Sequence, residues 1–314
     1  MEFLYFLEGL RTPAGDAFFS LITHLGEETV FILAGLVVFW CIDKLQGYYL
    51  LCVGLAGTSL NQLLKLVFRV PRPWVKDPAF TIVESARAEA TGYSFPSGHT
   101  QSSVGIFAGL ARWNKNRVLR GVCAALCVLV PLSRMYLGVH SLADVSVSVL
   151  LALLFVFAMY PAAARAAKSP RGMRILLAVI TAGTAAALAF VSLYAFPADV
   201  DADNLVHGIE SLWKMMGCTV GLWLAFELDT RVVRFETGAV WWAQLLKLTL
   251  GAAILLGIKS GLKPAINALC GGMAFADGVR YFLIVVFAGC LWPLTFQWFA
   301  GLGGGKKSSA AEKE

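Results

Sequence analysis

Three short blocks of this sequence carry side chains able to handle an anion and a proton. Lys65 stands seven residues before Arg72, which is followed by Pro73. A residue that precedes proline is pushed out of the helical region, so Pro71 and Pro73 end any helix that carries Lys65, and the two cations then face one another at its end. Taken alone, the pair also fits side chains snorkelling to a membrane surface. In the second block, Pro96-Ser97-Gly98-His99 is followed by Thr100-Gln101-Ser102-Ser103 and then by apolar residues. That order reads as a loop entering a helix, where free N–H groups and the positive end of the dipole favour an anion. Gly98 lets the backbone approach closely, Ser97 adds a hydroxyl and His99 can supply a proton; Ser97 also fits a plain N-cap. The third block is Ser133-Arg134-x5-His140-x3-Asp144. A helix beginning near His140 would share a face between His140 and Asp144, so that the carboxylate holds one ring nitrogen and the other keeps an exposed lone pair. A helix N-terminus there disfavours imidazolium and keeps the ring neutral and nucleophilic. Arg134 offers a planar fork for anion oxygens, while Ser133 bonds within its own helix turn.

The elements that must hold these blocks are membrane helices. Of 314 residues, 58% are hydrophobic and only 15% charged, outside the range of ordinary soluble domains. A mean hydropathy of +0.70 leads to the same fold class, an all-α polytopic transmembrane helix bundle. Apolar stretches fall at 30–42, 48–68, 100–111, 118–132, 142–163, 175–196, 209–226, 240–256 and 281–299. With ~20 residues needed per crossing, they predict about nine spans. Residues 1–27, broken by Pro13 and Gly15 and carrying Glu8, Arg11 and Asp16, read as interfacial helices, with a re-entrant or additional span as the alternative. Residues 28–197 form a six-helix core, 198–302 a three-helix extension, and 303–314 a small, polar tail expected to be disordered. Dimer contact, lateral gating and partner docking are the options for the extension, a homodimer included. Residues 1–10, acidic and aromatic, do not read as a cleavable signal.

Charge supplies the orientation. A net charge of +6 invites nucleic acid as a partner, but the basic residues are spread between apolar spans rather than gathered on one face. Arg112, Lys115, Arg117 and Arg120 fill one short loop, Arg165, Lys168, Arg171 and Arg174 the next, and Arg231, Arg234, Lys306 and Lys307 follow. These loops belong on the cytoplasmic side, which leaves all three blocks and the acidic stretch Asp199, Asp201 and Asp203 facing outward, as in a bacterial plasma membrane. Seven scattered cysteines show no disulfide framework or zinc spacing.

Eleven residue types fixed at these spacings arise by chance on the order of 10⁻⁸ of the time, at about one in twenty per position. The pattern resembles the signature of the type 2 phosphatidic acid phosphatase superfamily, closely over Lys65 to Asp144 and loosely to about Pro197. Carried over by motif position, the resemblance implies that His140 is the nucleophile, Asp144 its orienting partner and His99 the acid for the leaving group. Lys65, Arg72, Ser97, Gly98 and Arg134 would hold the phosphate. Phosphoryl transfer needs positioned positive charge, an in-line nucleophile and a proton for the departing alkoxide. Lys65, Arg72 and Arg134 provide the charge that Mg²⁺ supplies elsewhere, and the outer carboxylates Asp77, Glu84 and Glu89 show no paired spacing, so neither metal nor cofactor is expected. Three functions compete: a lipid phosphatase bound to the bilayer, a phosphatase for soluble esters with the layout of glucose-6-phosphatase, and a non-catalytic transporter or receptor. The first is favoured because Trp74, Phe80, Tyr93, Phe95 and Tyr136 suit the headgroup level.

Overall fold

The chain spends its sequence on long helices whose ends are fixed by capping side chains and prolines. The computed structural model describes residues 1–198 and 200–302; Asp199, Lys306, Lys307 and the tail 303–314 lie outside the described residues. In order the helices are α1 (Glu2–Gly9), α2 (Pro13–Thr23), α3 (Glu28–Val37), α4 (Lys44–Phe68), the single turn α5 (Pro73–Lys76), α6 (Gly98–Trp113), α7 (Arg117–Tyr136), α8 (Leu142–Ala164), α9 (Arg171–Leu193), α10 (Ala202–Leu228), α11 (Trp241–Leu269), α12 (Phe275–Val286) and α13 (Phe296–Gly301). No strand occurs among the described residues, as the composition requires.

Capping fixes where these helices start and stop. Asp43 accepts the N–H groups of Leu45 and Gln46 at the start of α4. Asn116 does the same for Val118 and Leu119 at the start of α7. At its other end α4 stops with Arg69 in the left-handed region (φ 50°), just ahead of Pro71 and Pro73.

Fewer helices meet the requirement for a crossing than the apolar stretches predict. Among the described residues six are long and apolar enough by themselves: 44–76, 117–136, 142–164, 171–193, 241–269 and 275–301. A seventh arises if 13–26 and 29–42, bent by 55° against one another, form one broken span. Of the remaining predicted crossings, α6 is only 16 residues long. The other, α10, has 27 residues but is interrupted by Asp203, Glu210, Lys214 and Glu227. The N-terminal segment is correspondingly more than an interfacial ornament. Its α1 lies over the loop at 77–82, where Tyr5 donates to Asp77; Arg11, just after it, donates to Tyr136 O, and α2 buries Thr23 beside α7.

One apolar cluster runs through both the predicted core and the predicted extension. Trp40, Tyr48 and Tyr49 share it with Phe226, Phe235, Leu255, Trp292 and Phe296. α10 lies against α4 and α9 as well as α12, and Gly217 and Gly278 let the backbones of α10 and α12 meet, since a Cβ on either would strike the other helix. At the end of the bundle opposite the three blocks, Trp113 donates to Asp43, Lys44 pairs with Asp229 at 3.0 Å and Arg174 with Glu227 at 2.7 Å. The basic loops at 112–120, 165–174 and 231–234 therefore share one end, as the charge pattern predicts.

Candidate active site

The three blocks converge where α4, α6 and α8 meet the loops at 69–97 and 137–141. Lys65 is in the last turn of α4, and Arg72 is the residue before the single-turn α5. Ser97 caps α6, with Gly98 and His99 in its first turn. Arg134 ends α7. Leu142 rather than His140 begins α8: Ser141 is its N-cap and Asp144 completes a capping box with it. His140 and Asp144 therefore do not share a helical face. The imidazole stands just ahead of the helix, and the carboxylate reaches back to it from the first turn.

His140 is 1% exposed and is held at both ring nitrogens. Arg72 Nη1 donates to Nε2 at 2.9 Å. A guanidinium can only donate, so Nε2 carries the lone pair and the ring proton is on Nδ1. Nδ1 faces Asp144 Oδ2 at 3.6 Å and Ser94 Oγ at 3.4 Å. Asp144 Oδ2 in turn accepts from Ser94 Oγ at 2.6 Å and from Ser141 N at 2.7 Å. Burial, and then the charges of Arg72, Arg134 and Lys65, hold the His140 pKa well below the usual imidazole range, so the ring is neutral. The lone pair is not exposed, contrary to the sequence expectation: Arg72 covers it and must turn its N–H toward an incoming anion before Nε2 can attack.

The cations are prepared to different degrees. Arg72, 5% exposed, is anchored by the carbonyls of Thr91, Gly92 and Val139. Arg134 is fully buried; Nη1 donates to Thr23 Oγ1 at 2.6 Å, while Nε and Nη2 have no partner. Two buried, unspent guanidinium donors are costly unless an anion completes them. Ser97 Oγ accepts from Thr100 N, which leaves its own proton to donate, and Ser97 N bonds Asp144 O. His99 Nε2 is buried and unpaired. Ser133 spends its hydroxyl on Val130 O one turn back.

Lys65, Arg72, Gly98, His99 and His140 line a single cavity of about 550 Å³. Ser97, Arg134 and Asp144 are not among its lining residues. The sequence reading missed four side chains that the structure adds. Ser94 bridges His140 and Asp144, Thr23 holds Arg134, and Asn61 and Gln101, 2% and 4% exposed, line the cavity with both amide atoms unpaired. Asn61 and Gln101 were findable, because an amide inside an apolar span is costly unless it serves a site. The aromatic belt, by contrast, is mostly not one: Phe80, Tyr93 and Tyr136 are buried, and Trp74 stacks against Arg72 and Arg87. Among the described residues no three His, Cys, Asp or Glu side chains gather as metal ligands, and all seven cysteines are free.

A multi-spanning helical protein with a cation-lined histidine pair at one end of its bundle is what the fold and geometry define. The PAP2 superfamily pattern matches residues 46–168, and that of the PAP2 superfamily phosphatase transmembrane extension matches 213–305. The chain belongs to the PAP2 superfamily and is a multi-pass integral membrane protein. Sphingosine-1-phosphate phosphatase 1 of Mus musculus is 31% identical over 150 residues, which are 46% of this chain and 34% of that protein. Undecaprenyl-diphosphatase BcrC of Bacillus subtilis is 31% identical over 126 residues, 39% of this chain and 62% of that protein. Phosphatidylglycerophosphatase B of Bacillus subtilis is 28% identical over 161 residues, 47% of this chain and 75% of that protein. The match thus spans about a third of the length of the mouse relative. The crystal structure of Aquifex aeolicus LpxE superposes with a TM-score of 0.45 at 23% identity, covering 50% of this chain and 92% of that one.

Proposed function

We propose that this protein is a membrane phosphatase that hydrolyses lipid phosphate monoesters or diphosphates through a phosphohistidine at His140, without a metal. The observation that carries this reading is the cavity itself. One end presents His140, His99, Lys65 and Arg72, and the rest is lined by side chains such as Leu51, Leu55, Leu222 and Val285. A phosphate at the polar end could keep its hydrocarbon chain in apolar surroundings, which avoids exposing carbons at ~0.8 kcal/mol per CH₂. The relatives named for sphingosine 1-phosphate, undecaprenyl diphosphate and phosphatidylglycerophosphate support the same substrate class.

In this mechanism the non-bridging phosphate oxygens take the N–H groups of Arg72, Arg134, Lys65 and the Gly98 backbone and the hydroxyl of Ser97. Arg72 thereby leaves Nε2 free. Nε2 attacks phosphorus in line while the P–O bond to the alcohol breaks; His99, whose pKa burial and then the charge of Arg134 hold well below the usual imidazole range, takes a proton from the incoming phosphate monoanion and gives it to the departing oxygen. Asp144 and Ser94 hold Nδ1–H and offset the positive charge that the phosphorylated ring acquires. Water, deprotonated by His99, then attacks phosphorus and returns His140 to its neutral state with release of phosphate. Three cations around one phosphate supply the charge neutralisation for which other phosphoryl-transfer enzymes use Mg²⁺. The basic loops at the other end of the bundle favour a site facing away from the cytoplasm, at the outer face of a bacterial plasma membrane.

Phosphate release from long-chain lipid phosphates in mixed micelles, compared with glucose 6-phosphate on the same preparation, tests this. Much higher catalytic efficiency on the lipid esters is expected. Equal efficiency overturns the lipid assignment, and no turnover of any ester overturns the phosphatase reading.

A further inference from the structure

The cavity has a second wall that the three motif blocks do not supply. On α4 the lining residues Lys65, Gln62, Asn61 and Thr58 give way to Leu55, Gly54 and Leu51, all on one helical face. On α10 the sequence of chemistry is the same: His207, Ser211 and Lys214 at the site end, then Met215, Cys218 and Leu222. Two helices far apart in sequence thus grade from polar to apolar in the same direction along one space. Phe31 and Leu36 of α3, Leu255 of α11 and Val285 of α12 complete the apolar part. From Lys65 to Leu51 the lining runs roughly 21 Å along α4 at ~1.5 Å per residue. A cavity of about 550 Å³ here is not a packing defect, because helix cores close to crystal-like density, and its polar end keeps the unpaired amides of Asn61 and Gln101.

Resting on the phosphatase reading above, we propose that α10, α11 and α12 form the second wall of a channel that receives the substrate's own hydrocarbon chain and sets the chain length accepted. The occupant follows from continuity: the apolar channel and the cation-lined site are one space, so a chain whose phosphate meets His140 extends along it. The transmembrane extension is then part of the substrate site rather than a dimer contact or docking platform. Leu51, Leu222, Leu255 and Phe39 line its far end.

The test compares hexadecyl phosphate with octyl phosphate on the purified full chain in mixed micelles. Leu51→Trp and Leu222→Trp fill the channel from its two walls, and Leu256→Trp, at a neighbouring position that is 63% exposed, serves as the control. Each deep variant should lower the ratio of hexadecyl to octyl kcat/KM by about tenfold. That equals ~1.4 kcal/mol, or the burial of about two CH₂ groups. Leu256→Trp should leave the ratio within about twofold of the parent. Ratios within about twofold for both deep variants overturn the channel. A measurement without turnover keeps the proposal separable from the phosphatase reading. A hexadecyl phosphate with a diazirine at its chain end should label residues near Leu51, Leu222 or Val285, and excess hexadecyl phosphate should suppress that labelling far better than hexadecanol. Labelling confined to outward residues such as Leu250 and Leu256, or suppressed equally by hexadecanol, overturns the channel even if the chain proves to be a phosphatase.

Discussion

Replacing Asp144 by Asn separates two jobs that one carboxylate performs. Its Oδ2 closes the capping box of α8 through Ser141 N at 2.7 Å, and it faces His140 Nδ1 at 3.6 Å. When His140 Nε2 takes the phosphoryl group the ring becomes cationic. A unit charge pair at 3.6 Å in an effective dielectric of ~20 is worth about 4–5 kcal/mol. Asn keeps an acceptor for the ring proton, so about half of this should be lost, about 2–3 kcal/mol or ~10²-fold in kcat. The capping contribution is isolated by Ser141→Ala, which removes the reciprocal bond from Asp144 N to Ser141 Oγ without touching the imidazole. That variant should lose about 1 kcal/mol of stability and keep kcat within about threefold. The assay pairs phosphate release from a long-chain phosphate with thermal unfolding of the same detergent-solubilised protein. If Ser141→Ala loses as much kcat as Asp144→Asn, the carboxylate acts through the helix end and not through the ring. If Asp144→Asn stays within threefold of the parent, the orienting role is wrong.

Of the four histidines, His140 should stay neutral through pH 6.5 in ¹⁵N-histidine spectra and take a proton only further down, because its folded-state pKa lies below the free value of ~6.5. A midpoint at or above 6.5 contradicts the cationic surroundings. Activity should persist in excess chelator, and vanadate should inhibit by mimicking five-coordinate phosphorus; loss in chelator that Mg²⁺ restores contradicts the metal-free mechanism. Single cysteines at Asp77 and Lys115, in a background lacking the seven native ones, should label from opposite sides of the membrane, and labelling from one side contradicts the orientation.

What the sequence made legible was local. Pro71 and Pro73 mark the end of α4, Ser97 the start of α6, and the apolar runs the helices between, because each depends on a few neighbouring residues. The motif residues gathered where their spacing suggested, but their contacts were not readable. Spacing alone put His140 and Asp144 on one helix, whereas Ser141 caps α8 and leaves His140 outside it. Arg72 over Nε2, Ser94 between imidazole and carboxylate, and Thr23 on Arg134 each join residues 46 to 111 positions apart, a distance over which periodicity carries no information. Apolar runs alone include α6 and α10, which the length and composition of these helices do not by themselves establish as crossings. The second wall formed by α10 to α12 followed from no motif, since it is defined only by what packs opposite α4.

The account turns on bond formation at His140. Rapid acid-free quenching of the protein with a ³²P-labelled long-chain phosphate, followed by peptide mapping, should trap an acid-labile adduct on the peptide that contains His140, absent from His140→Ala that elutes and unfolds like the parent. An adduct on another residue, or turnover that persists in folded His140→Ala, would contradict it.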